Sequence, residues 1–524
     1  MPGVSTFRST LVRAAWGALA GLLAAYTALA VAELVAGLMR PAAGPVTVVG
    51  GAVIDRTPAP VKDFAIRTFG ENDKTALQLG ILALLGLIAC ALGILALSRP
   101  RAGAAGVLLF GVVGAVAALS RPDSTGIGDV LPSVVGALAG ALVLYLLAAK
   151  AVQVPAPADA GGWNRRGFLT AAGVTAVAAT SAGALGRYFG GRQGRGAVAS
   201  RESLTLPEPA SPAPAVPAGV QLKVPGITAF TTPNSDFYRV DTVLTVPKVD
   251  AGTWRLRIHG KGVTRPRTYT LDQLLARPLI ERDITLTCVS NEVGGPYIGN
   301  ARWLGVPLAD LLEEAGVRPP SKGGRADQLV ARSVDGMTLG SPVEDVMDGR
   351  DAMLAVGMNG DPLPFDHGFP VRMLVPGLYG YVSACKWIED IELTTFDAYD
   401  PYWVKRKWAR RAPIKTQSRI DTPKPFARPT AGTVTVAGVA WAQHRGVTRV
   451  QIRVDDGPWQ DADLAAQAGV DTWRQWSYRW NATPGGHNIT VRATDGTGQT
   501  QTEQRTRTIP DGASGRHSVF VTVT

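Results

Sequence analysis

The chain has 524 residues, with 53 Lys and Arg against 42 Asp and Glu, and a formal net charge of +11. That length leaves room for several domains. The charge is spread over loops, a linker and the C-terminal half, with no basic helix carrying interleaved aromatics, so nucleic acid is not an expected partner. The three cysteines, Cys90, Cys288 and Cys385, form no CxxC pair, which leaves too few ligands for a protein-held zinc site or iron–sulfur cluster.

Mean hydropathy is +0.11, and the cause is local. Apolar runs occupy about 11–39, 76–97, 102–119 and 130–149. Each is close to the roughly 20 residues needed to cross a bilayer. Residues 1–152 are therefore expected to be a membrane domain of four helices in contact with lipid. Gly106, Gly111 and Gly114 suit close helix packing in that setting. Arg8, Arg13, Arg99, Arg101, Lys150, Arg165 and Arg166 fall on one side of the spans, which places the N terminus in the cytoplasm. The loop 44–74 mixes basic residues with Asp55, Asp63, Glu71 and Asp73.

Residues 160–190 form a fifth apolar stretch. Asn164-Arg-Arg-Gly-Phe-Leu-Thr170 resembles a twin-arginine export signal, and an ordinary fifth membrane helix is the alternative. Both put the following module on the extracytoplasmic side. Residues 191–222 read as a Pro/Ala-rich linker, an extended and semi-rigid spacer.

Residues 223–400 mix short strands (254–258, 283–286, 371–375, 388–393) with helical stretches (271–276, 306–314), an α+β pattern. Residues 420–524 alternate apolar and polar positions in short runs separated by turns such as Asp455-Asp-Gly-Pro458, an immunoglobulin-like β-sandwich. Cys288 follows the β-branched run Ile284-Thr-Leu-Thr287 and opens into a Gly-rich turn, as a thiol presented at a strand end. It is a nucleophile, a ligand to a metal otherwise held by a cofactor, or an inert buried residue.

Thr287-Cys-Val-Ser-Asn291, Asn300-Ala-Arg-Trp-Leu-Gly-Val-Pro-Leu308, Asp366-His-Gly-Phe-Pro-Val-Arg372, Val375-Pro-Gly377 and Lys386-Trp387, in that order, resemble the sulfite oxidase family of molybdopterin oxidoreductases. The resemblance covers about 225–524. It implies a membrane-anchored enzyme with one molybdenum-molybdopterin cofactor in an α+β domain, and a terminal sandwich through which two chains could form a homodimer. Cys288 would be the single protein ligand to the metal. Cofactor-binding roles are implied for Asn234, Tyr238, Arg239, Ser290, Asn291, His367, Arg372, Ser383 and Lys386. The segment Asn234-Ser-Asp-Phe-Tyr-Arg239 resembles the pterin-contacting segment of the bacterial periplasmic methionine-sulfoxide reductases, in the same superfamily.

The chain also departs from the family. Animal and plant sulfite oxidases carry Arg-Asn-His before a Val-Pro pair, whereas here Val246-Pro247 follows Arg239 without Asn-His. The family's active-site Tyr aligns with Trp408. Arg239 is a candidate for the lost anion-binding role, and Arg479, in Trp476-Ser-Tyr-Arg-Trp480, for a second. All five histidines lie at or beyond His259, so the membrane helices offer no bis-histidine haem site, and no CxxCH occurs. No haem is therefore expected, and electrons would pass to an external cytochrome or a quinone-linked subunit. Three readings follow: an oxidase of sulfite or a similar oxyanion, a sulfoxide or N-oxide reductase, and a cofactor-free binding scaffold.

Overall fold

The computed structural model describes residues 2–58, 73–121, 126–152 and 165–524, with a few single positions between them. Two compact units result: Met1–Gly196 with Thr242–Val246, and Ala197–Asp241 with Pro247–Thr524.

The first unit is helical. Its elements are α1 (Pro2–Met39), α2 (Pro45–Arg56), α3 (Asp73–Ser98), α4 (Pro100–Leu119), α5 (Leu131–Val152) and most of α6 (Arg165–Glu202). Five stretches are long and apolar enough to cross a membrane: Val12–Met39, Lys74–Ser98, Pro100–Leu119, Ile127–Lys150 and Gly167–Glu202. Side chains such as Leu79, Leu87, Leu109 and Leu138 face outward, an exterior suited to lipid rather than water. Small residues set the crossings. A Cβ on Gly21 would stand 1.9 Å from the Ala89 carbonyl oxygen, and one on Gly136 2.4 Å from that of Ala28. Backbones approach this closely only over glycine.

The expected loop at 44–74 differs at its start, where Pro45–Arg56 is helical. Pro45 opens the helix at a position that needs no N–H donor. The run Val-Thr-Val-Val-Gly-Gly that follows has weak helix propensity, so no local signal marked it. Packing decides instead: Val48 and Ala52 are buried against Ala117 and Ala118 of α4. Asp63 and Glu71 lie outside the described residues, as do Asn164 and the segment 153–163.

The second unit holds two five-stranded sheets and a sandwich. The strands are β1 (Arg255–Gly260), β2 (Arg267–Thr270), β3 (Ile280–Thr287), β4 (Ile298–Pro307), β5 (Gln328–Ser333), β6 (Thr338–Pro342), β7 (Met353–Met358), β8 (Asp361–Pro362), β9 (Arg372–Leu374) and β10 (Ile388–Thr394). One sheet runs β2-β1-β10-β5-β6, and the other β3-β4-β7-β8 with β9 paired to β7. Strand β7 is buried at every position, and Trp303, Phe369, Leu256 and Ile258 belong to the same large core. Short helices α7 (Leu271–Leu275) and α8 (Leu308–Glu314) connect strands. A capping box between Thr270 and Gln273 fixes the start of α7.

The sandwich strands are β11 (Gln417–Thr422), β12 (Gly432–Trp441), β13 (Val447–Val454), β14 (Gln460–Asp461), β15 (Asp463–Leu464), β16 (Arg474–Ala482), β17 (Gly485–Asp495) and β18 (His517–Val523). They form sheets β11-β12-β16-β15 and β14-β13-β17-β18. Alternation closes the core: Val450, Ile452, Ile489, Val491, Val519 and Val521 of one sheet share it with Val436, Ala440, Trp476 and Trp480 of the other.

The linker expected at 191–222 is corrected on two counts. Residues 191–202 are the last turns of α6. The Pro-rich stretch beyond it is not a free spacer, because Ser211 accepts from Glu281 N (2.9 Å) and donates to the Leu279 carbonyl (3.1 Å). Ala213 N also donates to the Glu281 carboxylate, and Val220 is buried in the core. Prolines keep the strap extended, and the Ser211 and Ala213 N–H groups find acceptors at Leu279 and Glu281, at the start of β3.

Candidate active site

Strand β3 delivers Cys288, and both of its edges are occupied. One edge pairs with β4 from Ile280↔Gly305 to Thr287↔Ile298. On the other, Thr285 N donates to the Asp471 carbonyl (2.9 Å), Trp473 N donates to Thr285 Oγ1 (2.8 Å), and Gln443 Nε2 reaches Thr285 O and Thr287 Oγ1. Sandwich loops thus clamp the strand that ends in the thiol.

The turn after β3 is closed on itself. Cys288 N donates to the Tyr297 carbonyl (3.0 Å), Asn291 N to the Cys288 carbonyl (3.0 Å), and Tyr297 N to Asn291 Oδ1 (2.8 Å). Ser290 N points at Cys288 Sγ at 3.4 Å, a weak donor to sulfur. Arg419 of β11 braces the loop through Gly295 O (2.9 Å) while pairing with Asp421. Burial pushes the Cys288 thiol up, against the Ser290 N–H and the Lys386 charge. A nucleophile and a metal ligand both act as the thiolate, so either role needs that proton removed. Cys385 is fully buried, its thiol pushed further up by burial, and its Sγ faces its neighbour's carbonyl.

A cationic cluster surrounds this turn. Arg372 is 5 % exposed, and its Nη1 donates to the His367 carbonyl (3.1 Å). Its Nε is buried without an acceptor among the described residues, and the guanidinium lies over the Trp303 ring. Burial lowers Arg372 to about 10. His367 Nε2 lies 3.2 Å from the Asn234 carbonyl, its ring is edge-on to Phe237, and burial followed by the Arg372 charge lowers it to about 4, so it is neutral at pH 7. Asn234 is fixed by Asn359 and the Met358 carbonyl. Tyr238 stacks on Phe237, and burial, reinforced by Cys288, keeps it a phenol.

Lys386 Nζ sits 2.9 Å from the Asp241 carboxylate and 3.0 Å from the Asp366 carbonyl, and burial lowers it to about 8. Arg239 shares Asp241 (2.9 Å) and reaches Asp366 (3.2 Å). Gly368 makes room for these groups: at φ +111, its Cβ would press on both Arg372 and Lys386 at 3.1 Å. Two expected residues sit otherwise. Ser383 Oγ donates to the Leu378 and Tyr379 carbonyls, so it holds its own turn. Arg479 is exposed on β16, opposite Thr435, and among the described residues no bond joins it to the cluster. Asp241, Asp366, Arg419 and Gln443 were not anticipated. The one available signal was acid density beside Arg239 and His367.

Residues 243–403 match the oxidoreductase molybdopterin binding domain, and residues 417–491 match a bacterial Ig domain. The chain is 31% identical over 291 residues to mitochondrial sulfite oxidase of Mus musculus, covering 48% of this chain and 53% of that one. Sulfite oxidase of Gallus gallus is 32% identical over 292 residues, covering 47% and 62%. Residues 243–403 thus carry a molybdopterin-binding oxidoreductase domain, and this part of the chain is similar to the sulfite oxidases. The chain spans about half the length of the curated relatives it matches. Among solved structures, sulfane dehydrogenase SoxCD of Paracoccus pantotrophus is similar, with 24% identity, a TM-score of 0.48, and coverage of 56% of this chain and 82% of that one.

The residues present fit the family's cofactor. One buried thiol, an orphaned buried guanidinium N–H, and two further cations already gathered around a carboxylate make a donor set for an anionic, sulfur-bearing group.

Proposed function

We propose that the chain oxidises sulfite, or a similar small oxyanion, with a molybdenum-molybdopterin cofactor. The balanced reaction adds one oxygen from water to sulfite, giving sulfate, two protons and two electrons for an external acceptor. The observation that carries this reading is the gathering of Cys288, His367, Arg372 and Lys386, all inside the matched stretch, around one turn, with Tyr238 just ahead of that stretch beside them.

A bound molybdenum pterin would supply the two-electron redox chemistry. The chain supplies everything else. Cys288, fixed by the Tyr297 carbonyl and the Ser290 N–H, would give the metal its protein thiolate ligand. Lys386 and Arg239, which share Asp241, would hold the cofactor's phosphate, and Arg372, whose buried Nε has no acceptor among the described residues, would help to hold the pterin. His367 stays neutral and orients the Asn234 segment through its carbonyl.

The apolar helices would anchor the enzyme in the cell membrane, with the second unit on the extracytoplasmic side. The Arg165-Arg166 pair would act as a twin-arginine signal, and a homodimer would form through the sandwich. The test is turnover of sulfite with an artificial acceptor beside reduction of dimethyl sulfoxide with a reduced dye, on protein with measured molybdenum. Sulfoxide reduction without sulfite oxidation would transfer the reading to the reductase class.

A further inference from the structure

The helical unit holds a cavity of about 270 Å³ between α1, α2, α3, α4 and α5. Ala28, Val49, Ile88, Phe110 and Ala137 are among its walls. Of all its lining residues, Ser133 has the one polar side chain. Ser133 is 5 % exposed, and its Oγ has no hydrogen-bond partner among the described residues. It stands against the bare Cα of Gly114, where a Cβ would lie 2.6 Å from the oxygen. A buried hydroxyl without a partner is costly, and more readily tolerated where a ligand supplies the acceptor.

The cavity opens sideways. Leu84 and Val113 line it and are 59% and 49% exposed on the outer surface of the helices. A molecule dissolved in lipid could enter there without crossing water. We propose that this cavity binds a membrane quinone, with Ser133 donating to a quinone carbonyl. A quinone head is a flat apolar ring with carbonyl acceptors, and its isoprenoid tail can leave through the lateral opening. An acyl chain would fill the volume and leave Ser133 unpaired. The idea deepens the oxidoreductase reading, on which its motive rests: that reaction releases two electrons, and no histidine precedes His259 to hold a haem in these helices.

The test uses the full chain in phospholipid nanodiscs with an azido-naphthoquinone photoprobe. Labelling should map to peptides of α2–α5 and be displaced by 2,3-dimethyl-1,4-naphthoquinone. Ser133→Ala should weaken displacement about five-fold, the value of one hydrogen bond, without lowering the melting temperature, since the hydroxyl has no partner among the described residues. Displacement by added phospholipid alone, labelling elsewhere, or unchanged affinity in Ser133→Ala would overturn the proposal. Sulfite turnover with phenazine ethosulfate is read on the same samples. Turnover without quinone binding rejects the cavity alone, and quinone binding without turnover rejects the oxidase reading alone.

Discussion

The His517 ring lies directly against Gly294. A Cβ on Gly294 would stand 2.3 Å from His517 Cδ2, and Gly294 has φ +81. The first strand of the sandwich takes part as well, because Ile420 N donates to His517 Nδ1 (3.0 Å). The turn that carries Cys288 is therefore shaped from outside, by the last strand of the chain.

Gly294→Ala should accordingly disturb the turn rather than the core. The left-handed backbone alone costs about 1–2 kcal/mol for alanine, and the imidazole must also move. We expect a melting temperature several degrees lower, and molybdenum content and turnover falling together. Full molybdenum loading with normal turnover would show that the ring yields freely.

The two buried cysteines should separate. Cys288→Ser keeps the turn's backbone bonds but removes the soft ligand, so turnover should be abolished with the fold intact. Cys385→Ser buries a hydroxyl where a thiol packed, which should cost about 1–2 kcal/mol and leave turnover near normal. Elemental analysis and thermal unfolding of both variants check this. Active protein without molybdenum would remove the assignment.

Much of this was legible in the sequence because it is local. The alternation at 447–454 is β13, and the apolar run at 102–119 is most of α4. The Cys288 turn announced itself by a β-branched run ending in glycines. Long-range partners left no such trace. Asp241 meets Lys386 across 145 positions, and Gln443 meets Thr287 across 156. The Pro-rich composition suggested a spacer at 191–222, but composition cannot reveal that Leu279 and Glu281 offer acceptors to Ser211 N and Ala213 N. Arg479 resembled an anion-binding arginine by its neighbours in sequence, yet strand alternation turns it outward while Trp480 turns in.

Acid should loosen the second unit. His367 and His517 are both lowered from 6.5 to about 4, chiefly by burial. Arg372 and Lys386 oppose the charge on His367, and Arg419 and Arg505 oppose it on His517, with Asp366 and Asp421 offsetting in part. Between about pH 6.5 and 4 the unfolded chain binds these protons and the folded chain does not. Stability is therefore fully present above pH 6.5 and is lost as pH falls through that window. Urea midpoints of cofactor-free protein at pH 7 and 5 should show the drop, and His517→Asn should flatten it. An identical slope in that variant would put the effect on other groups.

The Asp241 carboxylate is the last point of leverage. It is 5% exposed and pairs with both Lys386 and Arg239. Asp241→Asn leaves the Lys386 ammonium buried without its counter-charge, which typically destabilises by about 3 kcal/mol or more. If the cofactor's phosphate is held by Lys386 and Arg239, an anion already stands there in loaded protein. The variant should then unfold at clearly lower temperature than the parent when cofactor-free, and close to it when loaded. Inorganic phosphate should restore part of the loss in the cofactor-free form. Equal losses in both forms, with no effect of phosphate, would mean that Lys386 serves the fold through Asp241 and that the phosphate is held elsewhere.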